Sequence, residues 1–116
     1  MSEFEPVADA SALPEGTLLG VTTSAGEAVC LMNNRGHISA MVDCCSHAEF
    51  LLSDGVLHAD GTVECVWHGA RFNCRTGAAC KAPAVDPVAM YDVRVENGKI
   101  CVGPRKGART GAEAVR

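Results

Sequence analysis

Short apolar runs divided by turn-forming residues recur along the chain, and such runs predict β-strands. Three such runs lie in the first half, near residues 17–23, 27–32 and 37–42. Turn-forming sequences separate them, at Ser24-Ala25-Gly26 and at Asn33-Asn34-Arg35-Gly36. We therefore expect consecutive short strands joined by tight turns.

The clearest local signal lies in VAMYDVRVENGKICV, residues 88–102, where apolar residues alternate on both sides of Asn97-Gly98. An Asn-Gly pair between two alternating runs is typical of a two-residue β-hairpin, because both residues tolerate a positive φ. No stretch carries the sustained 3.6-residue repeat of an amphipathic helix, and a weak turn near Asp9–Leu13 is the one helical candidate. The pattern predicts an all-β fold.

Between these β-rich flanks lies segment 43–83, which reads as loop and holds five of the seven cysteines. Binding residues concentrate on loops carried by a rigid scaffold, so this insert is where we expect function. Residues 104–116 are rich in glycine, arginine and alanine and lack apolar periodicity. We predict one domain over residues 1–103, followed by a disordered basic tail.

Length and composition indicate the class of protein. The 116 residues suffice for one compact domain. The opening MSEFEPVADA lacks the basic-then-apolar layout of a secretory signal, and no stretch approaches the roughly 18 apolar residues of a membrane helix. We expect a cytoplasmic protein that does not bind membranes, in which seven cysteines favour metal ligands or free thiols over disulfides.

Charge is distributed unevenly. Residues 103–116 carry four basic side chains against one acidic, a net charge of +3, so the rest of the chain carries −7 of the total of −4. An acidic body disfavours nucleic acid as a partner. It suits a partner protein with a basic docking face, and it equally suits simple solubility.

Two cysteine–histidine pairs stand out in the insert. Cys45-Ser46-His47 is a C-x-H pair, and Cys65-Val66-Trp67-His68, after seventeen intervening residues, is a C-x-x-H pair. Finding both pairs in this order at such a distance has a chance expectation on the order of a few per thousand, which makes the combination far more specific than a single motif.

Two cysteines and two histidines suit zinc or an iron–sulfur cluster. Zinc fingers usually take two cysteines from one loop and two histidines from another. Here each loop offers one of each, an arrangement that can span both irons of a Rieske [2Fe–2S] cluster, in which one iron has two cysteine ligands and the other has two histidines. A single zinc ion gains nothing from such mixing.

At this point the sequence resembles the Rieske ferredoxin family over roughly residues 4–103. LLSDG (51–55) and CVWHGARFNCRTG (65–77) are similar to the segments that follow the family's two ligand motifs, and Pro83 lies where the family has a proline loop. Val66 departs from the proline that many relatives place after the second cysteine. The resemblance implies the Rieske fold, with stacked antiparallel sheets and a cluster-binding subdomain, and one [2Fe–2S] cluster per chain.

The resemblance also implies the ligands, because the family spacing selects Cys45, His47, Cys65 and His68. Cys44 would give the wrong spacing in the first loop and is interpreted as a small buried side chain or a spare thiol. The remaining residues of these two types are assigned no ligand role. Cys30 and Cys101 are expected in the core, Cys74 and Cys80 as free thiols, and His37 and His58 at the surface.

High-potential relatives carry a disulfide between the two loops and two hydroxyls beside the cluster. The equivalent positions here are Phe50 and Trp67, which exclude the disulfide, and Ala70 and Phe72, which lack hydroxyls. Hydrogen bonds to the cluster and its thiolates stabilise the added electron, so their loss predicts a potential near the low end of the Rieske range of about −150 to +300 mV. The positive charges of Arg71 and Arg75 oppose this, and we expect solvent to screen them.

The leading functional hypothesis is a one-electron carrier and not an enzyme in its own right. The resemblance implies a monomer that shuttles electrons from a flavin reductase to a terminal aromatic-ring hydroxylating oxygenase, docking transiently where His47 and His68 lie. A Rieske protein associated with iron–sulfur cluster assembly is the alternative. A structural zinc-binding module is the third hypothesis.

Overall fold

The computed structural model describes residues 4–44, 51–66, 69–81 and 88–106. In these segments the backbone forms ten strands and two single 3₁₀ turns, at Ala10–Ala12 and Leu52–Asp54. None of the helical turns among them is long or apolar enough to cross a membrane. The strands are β1 (Glu5–Asp9), β2 (Thr17–Thr22), β3 (Ala28–Asn34), β4 (His37–Val42), β5 (Val56–Leu57), β6 (Thr62–Glu64), β7 (Arg71–Asn73), β8 (Ala79–Lys81), β9 (Met90–Glu96) and β10 (Lys99–Lys106).

The strands form two antiparallel sheets. The large sheet has the order β1-β10-β9-β4-β3-β2, and the small sheet has the order β5-β6-β7-β8. The small sheet is inserted in sequence between β4 and β9, which are themselves neighbours in the large sheet. The predicted all-β class and the predicted insertion of the subdomain between β flanks are therefore confirmed.

Strands β2, β3 and β4 lie close to the three predicted runs, with one informative difference. Strand β3 continues through Asn33 and Asn34, which the sequence assigned to the turn. The Asn33 amide donates to the Leu13 carbonyl at 2.8 Å, and its Oδ1 accepts from the Gly36 N–H at 2.8 Å. With its side chain satisfied in this way, Asn33 stays buried in the strand, and the turn shortens.

The C-terminal hairpin has the predicted turn, with φ values of 51° at Asn97 and 76° at Gly98. Strand β10 continues to Lys106, so the expected disordered tail does not begin at residue 104. Residues 107–116 lie outside the described part of the chain. Strand β1, which the sequence pattern did not reveal, pairs with β10 along the edge of the large sheet.

Strand β3 lies at the centre of the packing because both of its faces are buried. Val29 and Leu31 belong to one apolar cluster, on the face that also holds Ile100. Cys30 and Met32 point to the opposite face, as the alternation of a strand requires, and contribute to a second cluster. This second cluster contains the buried side chains of the small sheet, so it is the layer that joins the two sheets.

Two close contacts attach the insert to the large sheet. The Ser39 hydroxyl of β4 donates to the Cys74 carbonyl at 2.7 Å. The Val88 N–H, just before β9, donates to the Gly77 carbonyl at 2.8 Å. Gly77 has a φ of 78°, and a Cβ at this position would lie 2.0 Å from the Val88 carbonyl oxygen. A side chain cannot be accommodated there without moving the backbone.

We therefore predict that Gly77→Ala lowers the free energy of unfolding by more than about 3 kcal/mol, because the strain of a positive φ adds to a backbone clash. Gly98→Ala is the matched control, since its φ of 76° is nearly the same and nothing lies within 4 Å of the new Cβ. It should cost about 1–2 kcal/mol, the left-handed strain alone. Denaturant titration followed by circular dichroism measures both; equal losses would contradict the contact.

Candidate metal centre

Cys65 is the one predicted ligand among the described residues; Cys45, His47 and His68 lie outside them. Cys65 follows β6 directly, and its side chain is only 1% exposed. Its N–H donates to the Ala70 carbonyl at 2.7 Å, which closes the chain on itself across the segment that carries His68. Both ends of the second ligand loop are thus held by the small sheet.

The surroundings of Cys65 are apolar. Val63, Ala70 and Phe72 are fully buried in the same cluster. A thiolate in such a dry environment is unfavourable unless a cation balances its charge, and metal coordination deprotonates a cysteine outright. A buried cysteine at the base of a closed loop therefore fits a thiolate ligand of an iron–sulfur cluster better than it fits a reactive surface thiol.

The first ligand loop is described at its two ends. Cys44 is exposed, which fits its interpretation as a spare thiol and not as a small buried side chain, and its N–H donates to the Val42 carbonyl at 2.8 Å. On the far side, Leu52 is fully buried in the cluster that contains Cys65. The far end of the loop is therefore held by the packed layer that also contains Cys65.

A charged network lies beside the second loop. Glu64, the residue before Cys65, contacts His58 Nε2 at 2.5 Å and Arg71 Nη2 at 3.4 Å through its Oε1. Arg71 also lies 3.6 Å from Asp60. The Arg71 guanidinium therefore lies beside two carboxylates. The sequence analysis had expected only solvent to screen its charge. The expectation that His58 is a simple surface residue is likewise incomplete, since it is half-buried against Glu64.

Hydrogen bonding lowers the pKa of one carboxylate of this network. The Thr62 hydroxyl donates to Asp60 Oδ1 at 2.7 Å, and the Thr62 N–H donates to the same oxygen at 3.0 Å. These bonds, the hydroxyl first, lower the pKa of Asp60 below its usual range, and the Arg71 guanidinium adds to the effect. Asp60 thus remains an anion that faces Arg71 at any pH near neutrality.

The cysteines without a predicted ligand role behave largely as expected. Cys30 and Cys101 are buried in the core, and Cys74 and Cys80 are free thiols. Burial raises the pKa of the Cys30 thiol far above its usual range, and the nearby Asp43 carboxylate adds to the rise. Burial also raises the pKa of Cys74. Both therefore remain neutral thiols near pH 7.

His37 is exposed, as predicted. Partial desolvation lowers the pKa of His37, and the positive charge of Arg75 lowers it further. It is therefore mainly uncharged at neutral pH. His37 lies at the start of β4 in the large sheet, in a groove that Arg75 also lines. It is therefore not part of the second ligand loop, which follows β6.

Comparison with known proteins identifies the family of this chain. The model of the Rieske [2Fe-2S] domain family matches residues 3–92. The chain is 43% identical over 97 residues to the 3-phenylpropionate/cinnamic acid dioxygenase ferredoxin subunit of Escherichia coli (strain K12), a match that covers 84% of this chain and 87% of that relative.

Two solved structures have the same fold at a TM-score of 0.82. The ferredoxin of carbazole 1,9a-dioxygenase from Nocardioides aromaticivorans IC177 is 36% identical and covers 87% of this chain and 97% of its own. The second is a chain from a complex of reduced oxygenase and oxidized ferredoxin in carbazole 1,9a-dioxygenase. It is 25% identical and covers 95% of this chain and 99% of its own.

The buried, hydroxyl-free positions Ala70 and Phe72 generate a prediction about potential. The double variant Ala70→Ser, Phe72→Tyr should raise the reduction potential by about 50–150 mV. A hydrogen bond to a charged group is worth roughly 1.5–3 kcal/mol, only part of which differs between redox states, and about 59 mV corresponds to a tenfold change for one electron. Protein-film voltammetry measures the shift.

The control for this prediction is Ala40→Ser, which adds a hydroxyl at an equally buried alanine in the other apolar cluster of the large sheet. It should leave the potential unchanged. A shift below roughly 20 mV in the double variant would contradict the hydroxyl argument, as would an equal shift in the Ala40→Ser control.

Proposed function

This chain belongs to the Rieske [2Fe-2S] family, and we propose that it is the ferredoxin component of a ring-hydroxylating dioxygenase system, where it carries one electron at a time to the terminal oxygenase. The observation that carries the proposal is the 43% identity to a dioxygenase ferredoxin subunit over 87% of that relative's length. A carrier needs little more than a cluster-binding domain, and the matched region is such a domain.

Membership of the family gives the chain a [2Fe–2S] cluster. We propose Cys45 and Cys65 as ligands of one iron and His47 and His68 as ligands of the other. The bound cluster supplies a reversible one-electron couple. The burial of Cys65 at the base of the second loop and the exposure of Cys44 next to Cys45 support this ligand set.

The protein around the site favours a low potential. No hydroxyl stands at position 70 or 72, so the thiolates lack that stabilisation of the added electron. Arg71, the basic side chain nearest in sequence to the second loop, is paired with Glu64 and Asp60. Its positive charge therefore has little net effect on the reduced state, and we place the couple near the low end of the Rieske range.

We expect partners to dock on the two ligand loops themselves. We call the surface formed by these loops, which carry His47 and His68, the tip. Leu51 follows the first loop and is 46% exposed; Val66 lies within the second and is 57% exposed. Large apolar side chains left exposed beside a site suit a protein interface. The body's charge of −7 suits partners with a basic docking face.

We propose the terminal oxygenase and a flavin reductase as these partners, and a monomer as the functional unit, because one tip must serve both in turn. A cytoplasmic location is supported by the free thiols of Cys30, Cys74, Cys80 and Cys101, which persist in a reducing compartment. Neither nucleic acid nor membrane is proposed as a partner.

The alternatives carry less support. A role in iron–sulfur cluster assembly would use the same cluster, but the relatives reported above are dioxygenase ferredoxins. Membership of a [2Fe–2S] family argues against a structural zinc module. Neighbouring genes distinguish the first two: reductase and oxygenase subunits on one hand, scaffold components of cluster assembly on the other.

The function is tested by reconstitution with the reductase and terminal oxygenase of a ring-hydroxylating dioxygenase system. We expect oxygenase turnover to require this protein and to saturate with its concentration. Val66→Lys should raise the KM for the protein about three- to tenfold, because a charge at the tip must be desolvated on docking. Val95→Lys is the matched control: Val95 is 49% exposed on β9 of the large sheet and should leave KM unchanged.

Turnover without this protein would contradict the carrier role. Equal effects of the two lysine variants would leave the carrier role intact and contradict docking at the tip.

The ligand set is tested by metal analysis. The purified protein should contain two irons and two acid-labile sulfides per chain, and Cys45→Ser and Cys65→Ser should each lose the cluster. Cys44→Ser is the control and should retain it. Retention in Cys45→Ser together with loss in Cys44→Ser would reverse the assignment in the first loop, and one zinc per chain in place of iron would overturn the centre.

A further inference from the structure

Asp43 is a buried acid whose carboxyl group joins the two ends of the first ligand loop. It is only 3% exposed. Its Oδ1 accepts the Ser53 N–H at 2.8 Å, and its Oδ2 accepts the Ser53 hydroxyl at 2.6 Å. Both oxygens are therefore engaged by one residue that lies ten positions further along the chain. We call this pair of hydrogen bonds the Asp43–Ser53 clamp.

The clamp is anchored to the large sheet. The Asp43 N–H donates to the Ala28 carbonyl of β3 at 3.0 Å, and the Val42 N–H donates to the Ala89 carbonyl at 2.9 Å. Ser53 belongs to the 3₁₀ turn that also contains the fully buried Leu52. Both arms of the clamp are thus immobilised by packing, and the chain between them carries two of the four proposed ligands.

Strand β2 leaves room for the clamp at a glycine. A Cβ on Gly20 would lie 2.7 Å from the Ser53 hydroxyl oxygen and 3.0 Å from Asp43 Oδ2. Gly20 does not have a positive φ, so its backbone conformation does not call for glycine. Glycine is needed here because any side chain would collide with the Asp43–Ser53 clamp.

The carboxylate at this position has an electrical consequence. A buried charge is unfavourable unless it is compensated, and two hydrogen bonds from a neutral serine compensate it less than a cation would. Among the described residues, no lysine or arginine forms an ion pair with Asp43. Asp43 stands two residues before Cys45 in the sequence, and a buried negative charge near the cluster opposes the addition of an electron.

From these contacts we propose that Asp43 is a positioning residue for the cluster: the clamp holds the first ligand loop in its binding geometry, and its buried charge lowers the reduction potential. The inference rests on the ligand set of the proposed function, since it takes Cys45 and His47 as the ligands that the clamp positions. It adds an electrostatic role to a residue that binds no metal itself.

The first test compares two variants that remove the same charge. Asp43→Asn should shift the one-electron equilibrium toward the reduced protein about tenfold, which is about 59 mV. Asp54→Asn is the control, because Asp54 lies one residue beyond Ser53 but is exposed, so solvent screens it. Voltammetry of the cluster-loaded proteins measures both. A shift in Asp43→Asn no larger than that in Asp54→Asn would overturn the proposal.

The second test keeps the charge and weakens the clamp. Ser53→Ala removes the hydroxyl donor, and Gly20→Ala displaces it. Both should shorten the lifetime of the cluster in excess chelator at least threefold and alter the electron paramagnetic resonance g-values of the reduced protein. This test stands even if Asp43→Asn does not fold. Wild-type lifetimes and spectra in both variants would overturn the proposal.

The two tests are independent of the carrier role. If the wild-type protein holds its cluster but does not support oxygenase turnover, the proposed function fails and the clamp does not. If turnover is supported and Asp43→Asn behaves as wild type, the clamp fails alone.

Discussion

The packing of the small sheet against the inner face of β3 and β4 is the contact on which the site depends. Cys30 and Met32 of the large sheet meet Phe72 and Cys65 of the insert in one buried layer. Because protein interiors are close-packed, this layer fixes the described residues that flank both ligand loops relative to the large sheet.

How much of this could be predicted from the sequence follows from the range of the interactions involved. The hairpin at Asn97-Gly98 was predictable because two adjacent residues specify the turn. Strands β2, β3 and β4 were predictable because each is a short, mainly apolar run bounded by turn-forming residues. Strands β5 to β8 were not, since two or three residues carry no periodicity and pair only when the insert folds onto the sheet.

The site divides in the same way. The spacing of Cys45, His47, Cys65 and His68 is a linear pattern, and it was visible in the sequence. Glu64 and Arg71 pair because they are directly opposite each other in the register of β6 against β7. Their spacing in the sequence does not predict this pairing. Asp43 looked like an ordinary acidic residue beside two cysteines until its contacts with Ser53 showed that it is buried.

The two acids that lie closest in sequence to the ligand cysteines are treated differently by the fold. Glu64 precedes Cys65 and is paired with Arg71 and His58, so its charge is partly balanced, since Arg71 also pairs with Asp60. Asp43 lies two residues before Cys45 and is held by neutral donors, so its charge is not. A cation paired with Asp43 would instead favour the reduced cluster. In the part of the chain that the structure describes, Asp43 has no cation partner, and this keeps the electron easier to give away, which suits a carrier that must pass it on.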